Sequence, residues 1–143
     1  MIGLVVTGHG NFGSGLTSSV NLIAGEPANY EYVDFTVEKT PEILEDELRE
    51  AFDRLKECEG IIVLSDLPGG SPFKVAATLA QGYKDVYVLG GTNLPMIAEL
   101  TMARTMIEDV HALVDMAINT GKDQIVKFEI KKPAAQTEPT DGI

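Results

Sequence analysis

A histidine and an aspartate each follow an apolar run in this chain. His9 comes shortly after residues 2–6, and Asp66 after residues 60–64. Imidazole titrates near neutrality, so one ring nitrogen can act as a nucleophile while a carboxylate holds the other. Such a pair suits phosphoryl transfer, because the carboxylate fixes the tautomer and stabilises the cation that forms on phosphorylation. Two plainer interpretations stay open: His9 as an incidental loop residue, and Asp66 as a turn residue bonded to its own backbone.

A glycine-rich loop follows Asp66 and leads into a helix start. Gly69 and Gly70 allow backbone amides to approach an anion, and the helix beginning at Ser71-Pro72 presents the positive end of its dipole. We therefore predict phosphoryl binding by Gly69, Gly70 and Ser71, with Ser71 at least as the helix N-cap. Whether its hydroxyl also contacts a phosphoryl oxygen stays open. No Lys-Ser or Lys-Thr pair follows, so the loop is not a nucleotide P-loop. No carboxylate cluster has a spacing that suits Mg²⁺, so we expect no metal site.

The turn around His9 also matches a different binding pattern. Gly8, Gly10 and Gly13 fit G-x-G-x-x-G after a strand and before a helix, and Asp34 lies where a ribose-binding acid is expected. A small nucleotide-binding regulatory domain is therefore the main alternative. It explains neither the histidine inside the turn nor the second glycine loop.

Apolar runs alternate with helical patterns along the chain. Short runs rich in β-branched residues predict strands, and apolar residues recurring every three or four positions predict helices. Thr40-Pro41 is typical of a cap followed by a first helical turn. The predicted strands are residues 2–6, 30–35, 60–64, 86–89 and 124–130, and the first helix is expected to bury Phe12, Leu16, Val20 and Ile23.

This alternation predicts a doubly wound α/β domain, with a mostly parallel open sheet and helices on both faces. In a flavodoxin-like strand order, 2-1-3-4, the chain reverses direction between strands 1 and 3, and ligands bind outside their carboxyl ends. His9 and Asp66 follow those two strands, so we expect them to face each other across one crevice. Gly10, Asn11 and Asn93 are expected at the crevice edge.

Length and charge limit the class of protein. A chain of 143 residues fits one domain with a substantial core. Its net charge of −11 argues against nucleic-acid binding and favours either a basic protein partner or solubility alone. The single cysteine, Cys58, excludes an internal disulfide and suits a reducing cytoplasm. Apolar runs are too short to span a bilayer and no secretory signal is present, so we expect a cytoplasmic protein without membrane insertion. We also expect no cofactor.

Three blocks of sequence resemble the mannose-family IIA component of the bacterial phosphoenolpyruvate:sugar phosphotransferase system (PTS). They are Gly8-His9-Gly10, residues 66–73 (DLPGGSPF) and residues 91–96 (GTNLPM). The resemblance covers residues 2–130 and implies a histidine phosphocarrier. His9 would accept a phosphoryl group from the protein HPr on Nε2 and pass it to a IIB component, with Nδ1 held by Asp66. Ser71 matches the serine of the family's loop, and the membrane components IIC and IID would be served indirectly.

The resemblance also implies a homodimer, in which residues 124–130 cross as a strand to the neighbouring subunit's sheet. We expect the IIA domain to span residues 1–131, with a mobile tail at residues 132–143 and no attached IIB domain. The phosphotransfer subunit of dihydroxyacetone kinase is a weaker match, because it usually carries a Thr-rich loop in place of GGSPF. The sugar is not identified, although the GHGNF opening resembles hexosamine or N-acetylgalactosamine systems. A non-catalytic interaction module is the remaining alternative.

Overall fold

The computed structural model describes residues 1–131, in which strands and helices alternate around one parallel sheet. The sheet has the order β2-β1-β3-β4, and every neighbouring pair is parallel. The predicted α/β class and strand order are both confirmed. The elements are β1 (Gly3–His9), α1 (Phe12–Ala24), β2 (Tyr30–Phe35), α2 (Pro41–Arg54), β3 (Ile61–Ser65), α3 (Ser71–Ala80), β4 (Val86–Leu89), α4 (Leu94–Ala103) and α5 (Val110–Asp123).

Helices cover both faces of the sheet and bury its two central strands. Side chains alternate along β1, so Leu4 and Val6 join one apolar cluster while Val5 joins another. The first cluster lies between the sheet and α1, α4 and α5, and the second lies between the sheet and α2 and α3. Strands β1 and β3 are therefore held rigidly from both sides, and so are the residues at their carboxyl ends.

Local signals account for the helix starts near these strands. Thr40 caps α2 by accepting a hydrogen bond from the Ile43 amide at 3.2 Å, and Pro41 is the first helical residue, as predicted. Leu44 and Leu48 face the core from this helix and are fully buried. The cap thus fixes where the amphipathic face of α2 begins.

A buried arginine forms hydrogen bonds with the backbone at the amino ends of β1 and β2. The Arg104 guanidinium donates hydrogen bonds to the carbonyl oxygens of Ile2 at 2.9 Å and Asn29 at 2.8 Å, and also to that of Ala28. Arg104 is only 3% exposed. It therefore links the end of α4 to the amino ends of these strands, at the opposite end of the sheet from His9.

Two sequence predictions about β1 and α1 need correction. Strand β1 runs to His9 rather than ending at residue 6, because its pairing with β2 continues to the His9–Phe35 pair. His9 is therefore the last residue of a strand and not part of a loop. Ile23 is exposed, because the buried stripe of α1 consists of Gly13, Thr17 and Val20.

The predicted fifth strand at residues 124–130 is wrong for the single chain. Helix α5 continues to Asp123, and residues 125–131 form no helix or strand. The backbone groups of a strand need a neighbouring strand, and none in residues 1–131 pairs with this segment. Its large apolar side chains, Ile125, Val126, Phe128 and Ile130, are 79–86% exposed. Exchange between subunits stays a prediction, and the predicted tail at residues 132–143 lies outside the described residues.

Within residues 1–131, every helix is too short or too polar to cross a membrane.

Candidate functional site

The carboxyl ends of β1 and β3 bring His9 and Asp66 together at the point where the chain reverses direction across the sheet. One carboxylate oxygen, Asp66 Oδ2, accepts two hydrogen bonds from His9, from the backbone amide at 2.8 Å and from Nδ1 of the ring at 2.7 Å. The contact therefore fixes both the position of the histidine backbone and the rotation of its ring.

The electrostatics of Asp66 determine which ring nitrogen is free. Burial raises the pKa of the Asp66 carboxyl, but the hydrogen bonds from the His9 amide and ring outweigh it, so the pKa lies below its usual value. Asp66 is therefore a carboxylate at neutral pH and can only accept hydrogen bonds. Because Nδ1 must then carry the ring proton, the lone pair of the neutral imidazole is on Nε2.

The two side chains differ in accessibility. The His9 side chain is 45% exposed, whereas that of Asp66 is 14% exposed. The Phe35 ring lies beside the imidazole, with ring centroids 6.0 Å apart. Another protein can thus reach His9 while Asp66 stays largely shielded behind it.

Helix α3 begins directly against the His9 ring. A β-carbon added at Gly70 would lie 2.8 Å from His9 Cε1 and 3.6 Å from Nε2, so only glycine fits beside the imidazole. Gly70 is also the N-cap of α3. The first amides of a helix have no partner within the helix and form an anion-binding end. This end therefore lies close to the nitrogen that carries the lone pair.

The predicted role of Ser71 as the N-cap is wrong, because Gly70 occupies that position and Ser71 is the first helical residue. The reason is the turn before the helix, in which the Gly70 amide donates to the Leu67 carbonyl at 3.0 Å. Gly69 has φ +81°, a conformation that favours glycine. Phosphoryl binding by these three residues stays a prediction.

The predicted crevice-edge residues occupy different positions. Gly10 has φ +58° and its amide donates to the Phe35 carbonyl at 2.8 Å, which turns the chain away from His9. Asn11 is the exposed N-cap residue of α1 but makes no side-chain cap bond. Asn93 caps α4 by accepting from the Met96 amide at 3.3 Å, and its own amide group donates to Gly121 at 2.9 Å. The polar atoms of Asn93 thus hold α4 and α5 in place.

The residues of the alternative nucleotide site have structural partners. Asp34 Oδ1 accepts a hydrogen bond from the Ser14 amide at 2.8 Å, at the start of α1. A β-carbon on Gly13 would lie 2.9 Å from the same oxygen and 3.0 Å from the Val6 carbonyl oxygen. A β-carbon on Gly8 would lie 2.6 Å from the Phe12 ring. This arrangement does not favour nucleotide binding, because Asp34 already caps the helix on which a pyrophosphate would lie.

Sequence reasoning missed exposed apolar residues at the carboxyl edge of the sheet, where His9 lies. Val37, in the turn that follows β2, and Leu67, directly after Asp66, are 103% and 63% exposed. Phe35 was predicted only as part of a strand, although it contacts the His9 ring. Exposed apolar residues beside a reactive group are typical of protein-binding surfaces.

In residues 1–131, no three His, Cys, Asp or Glu side chains are grouped so that they could hold a metal ion.

Comparisons with known proteins agree on one family. A family model described as "PTS system fructose IIA component" (EIIA-man) matches residues 3–118. The mannose-specific PTS EIIAB component of Escherichia coli (strain K12) is 28% identical over 138 residues, which covers 96% of this chain and 42% of that protein. The chain thus spans less than half the length of this relative. The fructose-specific PTS EIIA component of Bacillus subtilis (strain 168) is 29% identical over 104 residues, covering 73% of this chain and 71% of that protein.

Solved structures show the same likeness. The phosphotransferase system component EIIA from Streptococcus agalactiae superposes with a TM-score of 0.82 at 35% identity, covering 89% of this chain and 97% of that one. The mannose/sorbose-specific IIA subunit from Enterococcus faecalis has a TM-score of 0.83 at 25% identity, covering 91% and 96%. The likeness thus extends over nearly the whole of both structures.

Proposed function

The chain belongs to the EIIA-man family of PTS components, and from this we propose that it is a phosphocarrier in which His9 takes up and passes on a phosphoryl group. The observation that carries the proposal is the 2.7 Å contact between His9 Nδ1 and Asp66 Oδ2. It leaves Nε2 as the nucleophile, on a side chain that is accessible to another protein.

The transfer reaction balances without a cofactor. The Nε2 lone pair attacks the phosphorus of a phosphohistidine on the donor protein, the Nε2–P bond forms, and the donor's N–P bond breaks. The bonding pair returns to the donor nitrogen. His9 keeps its Nδ1 proton, so its ring becomes cationic, and the Asp66 carboxylate stabilises that charge. Catalysis is then mostly positioning and electrostatic stabilisation, with the amino end of α3 available to the phosphoryl oxygens.

The partners follow from the family and the charge of the chain. We propose HPr as the donor and a IIB component as the acceptor. From the cytoplasm, the chain would thereby serve the membrane components IIC and IID indirectly in sugar uptake. The net charge of −11 favours basic docking surfaces on both. Val37 and Leu67, which follow the carboxyl ends of β2 and β3, are exposed and would supply apolar contact area.

We further propose a homodimer. The apolar segment that contains Val126 and Phe128 is exposed, and β4 is an edge strand of the sheet. Such an edge pairs readily with a strand from another chain. In the dimer this segment would lie on the β4 edge of the partner, which would provide the strand that the single chain lacks.

The test of the function is phosphorylation in a defined mixture. Phosphoenolpyruvate, enzyme I and HPr should add one acid-labile phosphoryl group to the wild-type chain, as measured by intact mass. His9→Ala should take up none. His111→Ala is the matched control, because His111 is the second histidine and contacts only Tyr87 of the edge strand among the aromatic residues described. An unmodified wild type, or a modified His9→Ala protein, would exclude the proposal and leave a non-catalytic interaction module.

A further inference from the structure

Two buried oxygen atoms near the carboxyl end of β3 have no hydrogen-bond partner within residues 1–131. They are Asp66 Oδ1 and Thr92 Oγ1. Both hydrogen bonds from His9 go to the other carboxylate oxygen, Oδ2, so they leave Asp66 Oδ1 without a donor. The Leu67 amide helps to lower the Asp66 pKa but does not reach hydrogen-bond geometry with Oδ1. Buried polar atoms in native proteins are nearly always paired, so these two need an explanation.

Backbone hydrogen bonds bring Thr92 over the end of β3. The Gly91 amide donates to the Asp66 carbonyl at 2.5 Å, and the Thr92 amide donates to the Ser65 carbonyl at 3.1 Å. Thr92 is only 9% exposed. The loop after β4 therefore crosses directly above the residue that holds His9.

The backbone pairing brings the two residues with unpartnered oxygens close together. The Gly91 amide bonds to the Asp66 carbonyl, and Thr92 is the next residue along the chain. The buried Thr92 hydroxyl and the unpartnered Asp66 oxygen therefore belong to residues one position apart in this pairing, where the loop after β4 crosses the end of β3.

We infer that Thr92 is a positioning residue for Asp66: its hydroxyl donates to one water molecule that in turn donates to Asp66 Oδ1. The two atoms make no direct hydrogen bond, and one water between them would give each of them a partner, as buried waters do for otherwise unpaired polar groups. With one oxygen on His9 and the other on this bridge, the carboxylate cannot rotate away from the imidazole. The inference rests on the proposed function for its catalytic consequence only, since the bridge itself exists in the unphosphorylated protein.

The test replaces the hydroxyl while keeping the shape of the side chain. In the unphosphorylated protein, the ¹³C signal of the Asp66 carboxyl is followed against pH. Thr92→Val should move the midpoint upward by about half a pH unit or more, because the charged form loses a hydrogen bond. Thr92→Ser should keep the wild-type midpoint. Thr101→Val is the matched control: Thr101 is also buried, but its hydroxyl donates to the Ile97 carbonyl within α4 at 2.7 Å.

Transfer kinetics give a second readout. Thr92→Val should slow phosphoryl uptake from HPr by about tenfold, and Thr92→Ser should restore it. Combined with Asp66→Ala, Thr92→Val should have no further effect, because the bridge has already lost its acceptor. Thr92→Ala serves as the second variant if valine does not fold.

A Thr92 hydroxyl without a partner would give a different result in both measurements. If the hydroxyl of Thr92 has no partner, Thr92→Val removes an unpaired polar group, so it should raise the melting temperature and leave the Asp66 titration unchanged. That outcome would overturn the inference. If instead the wild-type chain takes up no phosphoryl group, the proposed function fails, and the Asp66 titration still decides whether Thr92 holds the carboxylate.

Discussion

Gly70→Ala perturbs the candidate site directly, because Gly70 lies against the His9 ring. The added β-carbon would lie 2.8 Å from His9 Cε1, whereas ordinary contact begins at 3.4 Å. The Gly70 backbone has φ −72° and ψ 167°, which alanine adopts without strain. The substitution therefore acts on the imidazole and not on the conformation of the loop.

The structure gives the size of the effect. To restore ordinary contact, the ring must retreat by the 0.6 Å difference between 2.8 and 3.4 Å. Its 2.7 Å bond to Asp66 Oδ2 leaves no room for such a displacement without weakening. Loss of a hydrogen bond to a charged group costs about 1.5–3 kcal/mol, which corresponds to roughly a 10- to 100-fold slower transfer.

Rapid-quench measurement of phosphoryl uptake from phospho-HPr, with thermal unfolding followed by circular dichroism, tests this expectation. Gly15→Ala is the control without contacts, since nothing lies within 4 Å of the added carbon in α1, and it should transfer at the wild-type rate. Gly69→Ala controls for loop strain: its φ of +81° should lower stability by about 1 kcal/mol without contact to the ring. A folded Gly70→Ala protein that transfers within about twofold of wild type would refute the reasoning.

Three further perturbations probe charge, scaffold and assembly. Asp66→Asn should slow transfer by about 100-fold. Because the pKa of Asp66 is depressed in the folded state, its charge stabilises the fold above about pH 4, and this contribution is lost as the pH falls through the folded pKa. Asparagine has no such charge to lose. The free energy of unfolding of the variant in urea should therefore decline less than that of wild type from pH 7 to pH 3. Arg104→Met leaves three carbonyls without their donor and should lower the free energy of unfolding by about 2–4 kcal/mol in urea, while the folded variant transfers normally; slowed transfer would show that the far end of the sheet affects the site. Phe128→Asp should shift the homodimer towards monomer in light scattering, whereas Val37→Asp, at a comparably exposed position, should not; equal masses for the two variants would exclude the C-terminal segment as the dimer contact.

Much of the fold could be predicted because it depends on connectivity rather than on detailed packing. Apolar runs and helical periodicity located the four strands, and the reversal between β1 and β3 then determined where side chains converge. His9 and Asp66 could be paired from sequence because each follows one of those two strands. In the structure, His9 Nδ1 and Asp66 Oδ2 are 2.7 Å apart, as this pairing predicts.

The details that failed depend on tertiary contacts that no local pattern records. Ser71 looks like an N-cap before a proline, but the turn from Leu67 shifts the helix start so that Gly70 occupies the cap. Residues 124–130 alternate like a strand, yet alternation only describes a segment that could pair; it does not supply a neighbour. Thr92 lies in one of the three blocks that carry the resemblance, but nothing in the sequence singled out its hydroxyl, because the role inferred for it depends on a loop that crosses over β3.

The glycines of the first turn show why spacing alone did not identify the chemistry. Gly8 clears an aromatic ring of α1 and Gly13 lets α1 approach the carbonyls of β1 and β2. These are demands of any tight strand-to-helix turn, whether or not a dinucleotide binds there. What separates the two functions is the partner of each carboxylate: Asp34 bonds to the first turn of α1, whereas Asp66 bonds to His9. A glycine fingerprint therefore reports the geometry of the turn, and the reaction is decided by the side chain that the opposite strand presents to it.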